Sequence, residues 1–267
     1  MRAETNISKD KIKNFAAERR NKVRNYKEEF EKRIAFIQKA LRESGAKGIV
    51  YGNSGGKDSA LVGALCKAAC DNTVGIIMPC ASKRNFDLDA KDGAEVAKKF
   101  GIETRTADLT EMKKLALDLY SKITKVSETA SSNIAPRLRM ITLYAVAASE
   151  GRLVAGTGNR SEGYMGYFTK WGDGAYDINP IADLTVTEIY EFLEYLDAPR
   201  CVIEKAPSAA LFEGQTDEDE MGVTYAAIDK FLFTGEASEA DKKIIDRYHK
   251  ASEHKRRMPR TYPEDKE

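Results

Sequence analysis

The sequence predicts an α/β protein in which one doubly wound parallel sheet carries helices on both faces. Short apolar segments bounded by glycine, proline or polar residues alternate with longer segments whose apolar residues recur at steps of three and four. Such alternation is typical of strand–helix–strand units, which place their strands in parallel. The predicted strands are 48–51, 73–78, 103–107 and 152–155.

The predicted helices follow from the apolar periodicity and from residues that favour helix ends. Gly45 ends the first helix, Gly101 ends the third, and Gly151 follows the long helix before the fourth strand. The acidic run 217–220 suits the N-terminal end of a helix. The predicted helices are 10–43, 60–65, 87–100, 109–123, 133–149, 186–196, 217–233 and 238–252.

We interpret the chain as a single domain, 1–267, because no repeat and no low-complexity linker divides it. Residues 1–45 are its N-terminal helical segment, and 235–267 are its C-terminal helix and tail. The amphipathic helix in the N-terminal segment has two possible roles, packing on the sheet or forming a subunit interface.

Two long loops are predicted, 156–180 and 199–214. The first is rich in glycine and aromatic residues and follows a strand. Ligands of such sheets bind beyond the carboxyl ends of the strands, and long loops there usually carry function. We therefore expect loop 156–180 to contribute to a binding site.

Composition excludes several classes of protein. The 43 basic and 42 acidic residues give a net charge of +1, so no overall field favours nucleic acid or an anionic membrane as a partner. No apolar run approaches the ~20 residues that span a bilayer. The polar N-terminus does not resemble a signal peptide, so we expect a cytoplasmic protein.

Histidine and cysteine usage also narrows the chemistry. Only two histidines are present, which does not favour a histidine metal cluster or a Ser-His-Asp triad. The four cysteines form no C-x-x-C pair and no zinc pattern. Cys66 and Cys70, four residues apart on a predicted helix, are interpreted as small core residues and not as a redox pair.

The most informative motif is the run SGGKDS that joins the first strand to the next helix. Gly55 and Gly56 can adopt positive φ, which lets backbone N–H groups approach an anion at a helix N-terminus. Asp58 would repel a phosphate unless a metal lay between them, and therefore indicates Mg²⁺. The alternative is an ordinary strand-to-helix turn with capping side chains.

This run differs from a Walker A loop and resembles the SGGxDS loop of the ATP pyrophosphatases. In that superfamily the loop grips the β- and γ-phosphates of ATP while the α-phosphate is attacked and pyrophosphate leaves.

Further segments, in the same order along the chain, make the resemblance more specific. With SGGKDS, they are similar to those of the ammonia-dependent NAD⁺ synthetases, which share the adenine nucleotide alpha hydrolase-like fold. The likeness extends from about residue 30 into the basic C-terminal tail. The segments are NIAPRLRM at 133–140, GTGNRSE at 156–162, FTKWGDGAYDINP at 168–180, EKAPSA at 204–209 and QTDE at 215–218.

The resemblance implies an activity and its partners. The family converts deamido-NAD⁺ (nicotinic acid adenine dinucleotide) to NAD⁺ with ATP, Mg²⁺ and ammonia through an acyl-adenylate. It releases AMP and pyrophosphate. The family's deamido-NAD⁺ site lies at a subunit interface, which implies a homodimer. We expect free ammonia as the nitrogen donor, because no amidase domain precedes residue 48.

The resemblance also implies roles for residues at matching positions. Asp58 and Glu162 match the Mg²⁺ carboxylates. The positions that match the ATP site are Ser54, Gly55, Gly56, Lys57, Asp58, Ser59, Thr157 and Ser208. The positions that match the deamido-NAD⁺ site are Arg137, Phe168, Lys170, Asp177, His254 and Lys255.

These positions have structural alternatives. Glu162 could be a solvated loop acid and Arg137 an exposed helix cation. Lys170 and Asp177 could pair with each other. The basic tail could be a solvated face, and 207–208 could be only a turn.

Two departures from the family pattern matter. The family often carries a lysine where Val186 stands, so one cation near the ATP phosphates is missing. Lys205 is the first candidate to replace it, as a third catalytic residue beside Asp58 and Glu162. Lys57 is the second candidate, although we expect it to point to solvent. A lysine at position 186 should be tolerated. The loop at 80–85 also matches poorly.

Two other functions compete with this interpretation. A tRNA-modifying ATP pyrophosphatase would carry a basic face or an appended RNA domain, and one that thiolates tRNA would need paired reactive cysteines. The net charge of +1 and the scattered cysteines do not favour this function. A non-catalytic nucleotide sensor would have lost Asp58 or Glu162, and both are present.

Overall fold

The computed structural model describes residues 24–80, 88–204 and 217–262. The strands found there are β1 Gly48–Gly52, β2 Thr73–Ile77, β3 Glu103–Thr106 and β4 Arg152–Ala155. They form a parallel sheet in the order β3–β2–β1–β4. Each strand ends within one residue of its predicted end, and the predicted α/β fold class is confirmed.

Helices of very different lengths surround this sheet. They are α1 Tyr26–Ser44, α2 Lys57–Ala69, α3 Ala90–Phe100, α4 Thr110–Tyr120, α5 Glu128–Ser132, α6 Ile134–Glu150, α7 Arg160–Met165, α8 Val186–Tyr195, α9 Arg200–Ile203, α10 Asp217–Met221, α11 Tyr225–Thr234, α12 Glu239–Ala251 and α13 Glu253–Arg256.

Two apolar layers lie on opposite faces of the sheet. Successive side chains of a strand point to opposite faces, so Ile49 and Tyr51 of β1 enter one layer and Val50 enters the other. Helices α1, α2, α3 and α8 contribute to the first layer, and α6 covers the second. Because both faces are covered, the central strands are apolar throughout, as parallel strands require.

A third apolar cluster stands apart from the sheet and joins the C-terminal helices to the sheet domain. Its fully buried members include Met165 of α7, Val186 of α8, Tyr225 and Ile228 of α11 and Ile245 of α12. Full burial of a large apolar side chain contributes about 1.5–3 kcal/mol. This cluster therefore holds α11 and α12 beside the carboxyl ends of the strands.

Helix α1 packs on the first layer of the core through Ile37, which is fully buried. Arg33 of the same helix is also buried, and its Nη1 and Nη2 donate to the two carboxylate oxygens of Asp183 at 2.7 and 3.0 Å. Its Nη1 also donates to the carbonyl of Pro180. The contacts support the packing role that the sequence left open for this helix.

The structure differs from the predicted helices at two places in this part of the chain, and the first difference has a clear cause. The predicted helix 217–233 is interrupted, because Gly222 has a φ of +74° and Thr224 caps a new helix by accepting from the Ala227 N–H. Helix α7 lies inside the predicted loop 156–180. The predicted N-terminal helix is seen from Tyr26 onward, and residues 1–23 lie outside the described part.

The cysteine interpretation is confirmed for Cys66, which is fully buried in the first layer and free. No helix within the described ranges is long and apolar enough to cross a bilayer.

Candidate active site

A cleft of about 580 Å³ opens at the carboxyl ends of the strands. The loops that follow β1 and β4 both line it, and so do side chains from α7, α10 and α12. β1 pairs with β2 on one side and β4 on the other, so the chain changes direction across the sheet there. Ligands of open parallel sheets bind at such a switch point.

The SGGKDS loop forms one wall of this cleft as the sequence predicts. Gly55 has a φ of +68°, and a Cβ there would stand 2.2 Å from the carbonyl oxygen of Asp89, so only glycine fits. Ser54 Oγ donates to Ser59 Oγ at 3.1 Å, which ties the two ends of the loop together. Helix α2 begins at Lys57, within this loop motif, and its N-terminus faces the cleft.

Asn53 is a buried residue that sequence reasoning missed. Its Nδ2 donates to the carbonyl of Gly93 at 2.9 Å, and its Oδ1 accepts from the Gly55 N–H at 3.3 Å. Asn53 therefore anchors the loop to helix α3. A polar residue directly after a buried apolar strand was the available signal.

Glu162 stands on the opposite wall, held by a capping box at the start of α7. Asn159 Oδ1 accepts from the Glu162 N–H at 2.9 Å, and Glu162 Oε2 accepts from the Asn159 N–H at 3.1 Å. Asn159 Nδ2 also donates to Asp58 Oδ1 at 3.0 Å, across the cleft. The N-x-x-E spacing marks this cap in the sequence, but the sequence analysis did not name Asn159.

The prediction that Lys57 points to solvent is wrong. Its side chain is only 5% exposed, and Nζ lies 2.7 Å from Asp58 Oδ2 and 5.7 Å from the ring centre of Tyr225. Burial by itself lowers the pKa of the Lys57 ammonium, but the Asp58 and Glu162 carboxylates outweigh it, so the pKa stands above its usual range. Lys57 is therefore a cation of the site.

The carboxylates around this lysine are crowded. Burial raises the pKa of Glu162 and the negative charge of Asp58 raises it further, while Lys57 acts in the opposite direction. The pKa of Glu162 consequently stands well above its usual range. Asp217 lies in the same cleft and is buried, with its Oδ2 accepting from the Tyr225 hydroxyl at 3.0 Å. Among the described residues, the cleft is lined by more acidic than basic side chains, so it suits an added cation.

The fit of Mg²⁺ can be judged from these oxygen donors. Within the part of the chain that the structure describes, no group of three or more His, Cys, Asp or Glu residues could hold a metal by itself. Mg²⁺ is usually held by one or two carboxylates together with substrate phosphates and water. The pair Asp58 and Glu162, facing one cleft beside a phosphate-type loop, fits that donor set.

On the far side of the cleft lie Thr157, Phe168 and Lys255, which the sequence analysis assigned to the two substrates. Lys255 Nζ donates to the carbonyls of Gly166 and Phe168, both at 2.8 Å, and lies 5.5 Å from the centre of the Phe168 ring. These contacts hold the C-terminal helix α13 against the loop that carries Phe168. Burial lowers the pKa of its ammonium.

Four other residues assigned to deamido-NAD⁺ are not among the cleft-lining residues: Arg137, Lys170, Asp177 and His254. Lys170 Nζ donates to the His254 carbonyl at 2.6 Å, and Arg137 Nη2 to the Lys170 carbonyl at 3.4 Å. Asp177 accepts from the Val154 N–H at 2.8 Å and from the Tyr144 hydroxyl at 3.2 Å. Lys170 and Asp177 therefore bond to other groups and not to each other.

The prediction that a lysine at position 186 would be tolerated assumes that this side chain faces the site. The structure shows that it does not. Val186 is fully buried in the third apolar cluster and is not among the cleft-lining residues. The two predicted residues Lys205 and Ser208 lie outside the described residues.

Two further cleft residues were missed. Arg139 follows the predicted Arg137 by two positions, and its Nε donates to the carbonyl of Met78 at 3.2 Å, just beyond β2. Tyr190 of α8 also lines the cleft near the SGGKDS loop. Arg139 belongs to a segment that resembles the family, whereas Tyr190 gives no signal in the sequence.

The parallel sheet, the SGGxDS loop and the likeness to solved NAD synthetases define an ATP-binding α/β protein with the adenine nucleotide alpha hydrolase-like fold. The model of the NAD synthase family matches residues 29–259. The chain belongs to the NAD synthase family, whose enzymes are ligases that form a carbon–nitrogen bond.

Individual relatives agree with this family. The chain is 44% identical over 238 residues to the NH(3)-dependent NAD(+) synthetase of Carboxydothermus hydrogenoformans, covering 88% of this chain and 97% of that one. The structure of NMN synthetase from Francisella tularensis has a TM-score of 0.84 and 37% identity, covering 90% of this chain and 99% of that one. The NAD+ synthetase of Burkholderia pseudomallei has a TM-score of 0.73 and 28% identity, covering 93% and 96%.

Proposed function

We propose that this protein amidates deamido-NAD⁺ to NAD⁺ with ATP, ammonia and Mg²⁺, releasing AMP and pyrophosphate. The observation that carries the proposal is the meeting of the SGGKDS loop with Glu162 in one cleft at the ends of β1 and β4. The family match supports the same reaction. Because the substrates ATP and deamido-NAD⁺ are cytoplasmic metabolites, we place the enzyme in the cytoplasm.

The chemistry explains why ATP is consumed. A carboxylate is a poor acyl donor because its oxygen cannot leave, so the nicotinate oxygen first attacks the α-phosphorus and expels pyrophosphate. Ammonia then attacks the acyl carbon, AMP leaves, and the nitrogen loses a proton. The protein supplies positioning and charge stabilisation, which dominate in phosphoryl transfer.

On the ATP side, we assign the phosphates to the N-terminus of α2 and to the SGGKDS loop. Ser54, Gly55, Gly56 and Ser59 would offer N–H and hydroxyl donors there. Thr157 would contact ATP from the opposite loop. Asp58 and Glu162 would hold Mg²⁺, which supplies positive charge against the phosphates when bound.

On the dinucleotide side, we assign the nicotinate ring to Phe168, whose aromatic face borders the cleft beside Lys255. Arg137, Lys170, Asp177 and His254 lie beyond the cleft lining and would contact the part of the dinucleotide that extends outside it. This arrangement supports a second subunit covering that part.

We therefore propose a homodimer. Large apolar side chains are exposed on α6, which covers the second face of the sheet, on α4, which packs against α6, and in the loop that follows α7. Exposed apolar patches of this kind mark protein interfaces. These side chains are Met112, Leu115, Leu119, Ile141, Trp171 and Tyr176. Light scattering on the purified protein tests the proposal, and a single monomer mass at micromolar concentration would contradict it.

A second substrate is worth testing, because the Francisella tularensis structure, with its TM-score of 0.84, is that of an NMN synthetase. If this protein acted on nicotinic acid mononucleotide instead, it would need no contacts to the adenosine half of deamido-NAD⁺. We assign both reactions to the same cleft, because each would join a nicotinate carboxylate to ATP.

The decisive experiment supplies ATP, Mg²⁺ and ammonium with either deamido-NAD⁺ or deamido-NMN, and follows the products by chromatography. We expect AMP to appear in step with NAD⁺, with a higher kcat/KM for the dinucleotide. A higher kcat/KM for the mononucleotide would establish the second candidate. Formation of ADP with orthophosphate would contradict the proposed mechanism. Equal rates with ammonia-free glutamine would contradict the assignment of ammonia as the nitrogen donor.

Substitutions test the metal assignment. Asp58→Asn and Glu162→Gln should each lower kcat by about 10²-fold or more, the scale seen when one electrostatic stabiliser is removed. Asp71→Asn is the matched control, because this carboxylate is fully exposed at the end of helix α2. Full activity of either site variant at saturating Mg²⁺ would remove that residue from the site.

A further inference from the structure

Lys57 is an unusual group to find at the floor of a nucleotide cleft. It is the first residue of α2, its side chain is 5% exposed, and Nζ reaches back to Asp58 Oδ2 at 2.7 Å. On its other side the ammonium lies 5.7 Å from the Tyr225 ring, which belongs to the third apolar cluster. A buried ammonium is costly unless it is paired, and Asp58 is the partner.

The consequence for Asp58 is that donors already occupy both of its oxygens. Lys57 Nζ donates to Oδ2, and Asn159 Nδ2 donates to Oδ1 at 3.0 Å. A carboxylate oxygen has a second lone pair, but the like charges of an ammonium and a divalent cation repel each other when they share one oxygen. The proposed metal therefore meets a ligand that a cation of the protein already neutralises.

The other acidic groups make this cation necessary. Glu162 and Asp217 also face the cleft, and Asp217 is buried. Without Lys57, the negative charges of Asp58 and Glu162 would lie close together with no described lysine or arginine bonded to Asp58. Val186 cannot supply a cation from its side, because it is enclosed in the apolar cluster.

We propose that Lys57 is the internal counter-ion of the Asp58–Glu162 pair, and that a divalent cation must displace its ammonium from Asp58 in order to bind. The protein alone then binds metal weakly, and Mg²⁺ enters effectively only together with the phosphates of ATP. This inference rests on the proposed function, because it takes Asp58 and Glu162 as the metal ligands. It adds that Lys57 balances their charge when no metal is bound.

The test is metal binding by the protein without ATP or deamido-NAD⁺, so it does not depend on turnover. Mn²⁺ is titrated and free Mn²⁺ is followed by electron paramagnetic resonance, with thermal denaturation measured in parallel. Lys57→Met should bind Mn²⁺ about tenfold or more tightly than the wild type, the change that about 1.4 kcal/mol of removed competition produces. Without metal, Lys57→Met should also melt at a lower temperature than the wild type. Added Mn²⁺ should raise its melting temperature by more than it raises that of the wild type.

The matched control is Lys67→Met on the same helix, where Nζ forms an exposed i, i+4 pair with Asp71 at 3.2 Å. It should leave Mn²⁺ affinity unchanged. Lys57→Arg keeps the charge and should bind Mn²⁺ as weakly as the wild type. If Lys57→Met alone does not fold, Asp58→Asn should restore its folding, because the charge pair is then removed as a unit.

Three results would overturn the proposal. The first is a folded Lys57→Met protein with the Mn²⁺ affinity of the wild type. The second is a Lys67→Met protein whose Mn²⁺ affinity rises as much as that of Lys57→Met. The third is an unfolded Lys57→Met protein that still does not fold when Asp58→Asn is added. Loss of the amidation reaction in the product assay would instead refute the proposed function, while leaving the metal titration to be judged by itself.

Discussion

Asn159 Nδ2 donates to Asp58 Oδ1 at 3.0 Å and so connects the loop after β4 to the loop after β1. The same asparagine caps α7 and receives the N–H of Glu162 at 2.9 Å. One buried amide thus orients both proposed metal ligands. Its role in the site is distinct from its role as a helix cap, and kcat and stability measure the two roles separately.

Asn159→Ala should lower kcat by about tenfold or more, because a hydrogen bond to a charged group contributes about 1.5–3 kcal/mol and 1.36 kcal/mol is tenfold in rate. The lost cap should cost about 1 kcal/mol of stability. Steady-state kinetics and chemical denaturation measure the two effects. The control is Ser238→Ala, which removes the cap of α12, where Ser238 Oγ accepts from the Asp241 N–H at 3.1 Å. It should lose stability without losing kcat, and an equal loss of kcat there would refute the orienting role.

Val186→Lys should destabilise the protein by about 3 kcal/mol or more, because it places an unpaired charge in the third apolar cluster. Thermal denaturation should show a fall of about 2–4 °C per kcal/mol for a chain of this size. Glu194→Lys is the matched control, since it introduces the same side chain at an exposed position on the same helix. A Val186→Lys protein as stable as this control would show that the lysine escapes the cluster.

Most of the fold could be predicted because its signals are local. Runs such as 48–51 and 73–78 are apolar over the length of one strand and stop at glycine, serine or proline. A buried parallel strand needs nothing else to be recognised. The break at Gly222 was missed because acidic residues and apolar steps on either side fit one continuous helix.

The site was predictable only as far as it follows from position along the sheet. Asp58 and Glu162 meet because β1 and β4 are neighbours, and the sequence places both at strand ends. Lys57 lies beside the Tyr225 ring, and Val186 is buried among the other members of the third apolar cluster. Those partners come from distant elements, so no local pattern contains them.

Acidification should remove the contribution of the Arg33–Asp183 pair. Burial by itself raises the pKa of Asp183, but the hydrogen bonds and charge of Arg33 lower it more, so the folded pKa lies below the usual value. The pair therefore stabilises the fold above pH ~4, the unfolded value, and this contribution is lost as pH falls through the folded pKa.

Asp183→Asn measures this contribution. Its side chain is about half exposed, so screening limits the effect to about 1 kcal/mol. Melting temperatures of the wild type and the variant should differ at pH 7 and converge below pH ~4. Asp71→Asn, which changes a fully exposed carboxylate, should show no difference at any pH. A constant difference between wild type and Asp183→Asn from pH 7 to pH 3 would contradict the assignment.

Gly166→Ala should damage both stability and substrate binding. Gly166 ends α7 with a φ of +65°, and a Cβ there would lie 2.0 Å from Cβ of Ser252. The substitution must push Ser252 and the following Lys255 away from the loop that carries Phe168. We expect a loss of about 3 kcal/mol or more, from backbone strain of 1–3 kcal/mol and the added overlap. Denaturation and the KM for deamido-NAD⁺ measure the two effects.

Gly45→Ala separates strain from overlap. Gly45 has a nearly identical φ of +68° at the end of α1, but nothing lies within 4 Å of the added Cβ. It should cost only the strain, about 1 kcal/mol, and leave the KM for deamido-NAD⁺ unchanged. The contact between Gly166 and Ser252 holds Lys255 over the carbonyls of Gly166 and Phe168. If both alanine variants lose the same stability and keep the same KM, the C-terminal helices do not close the cleft through this contact.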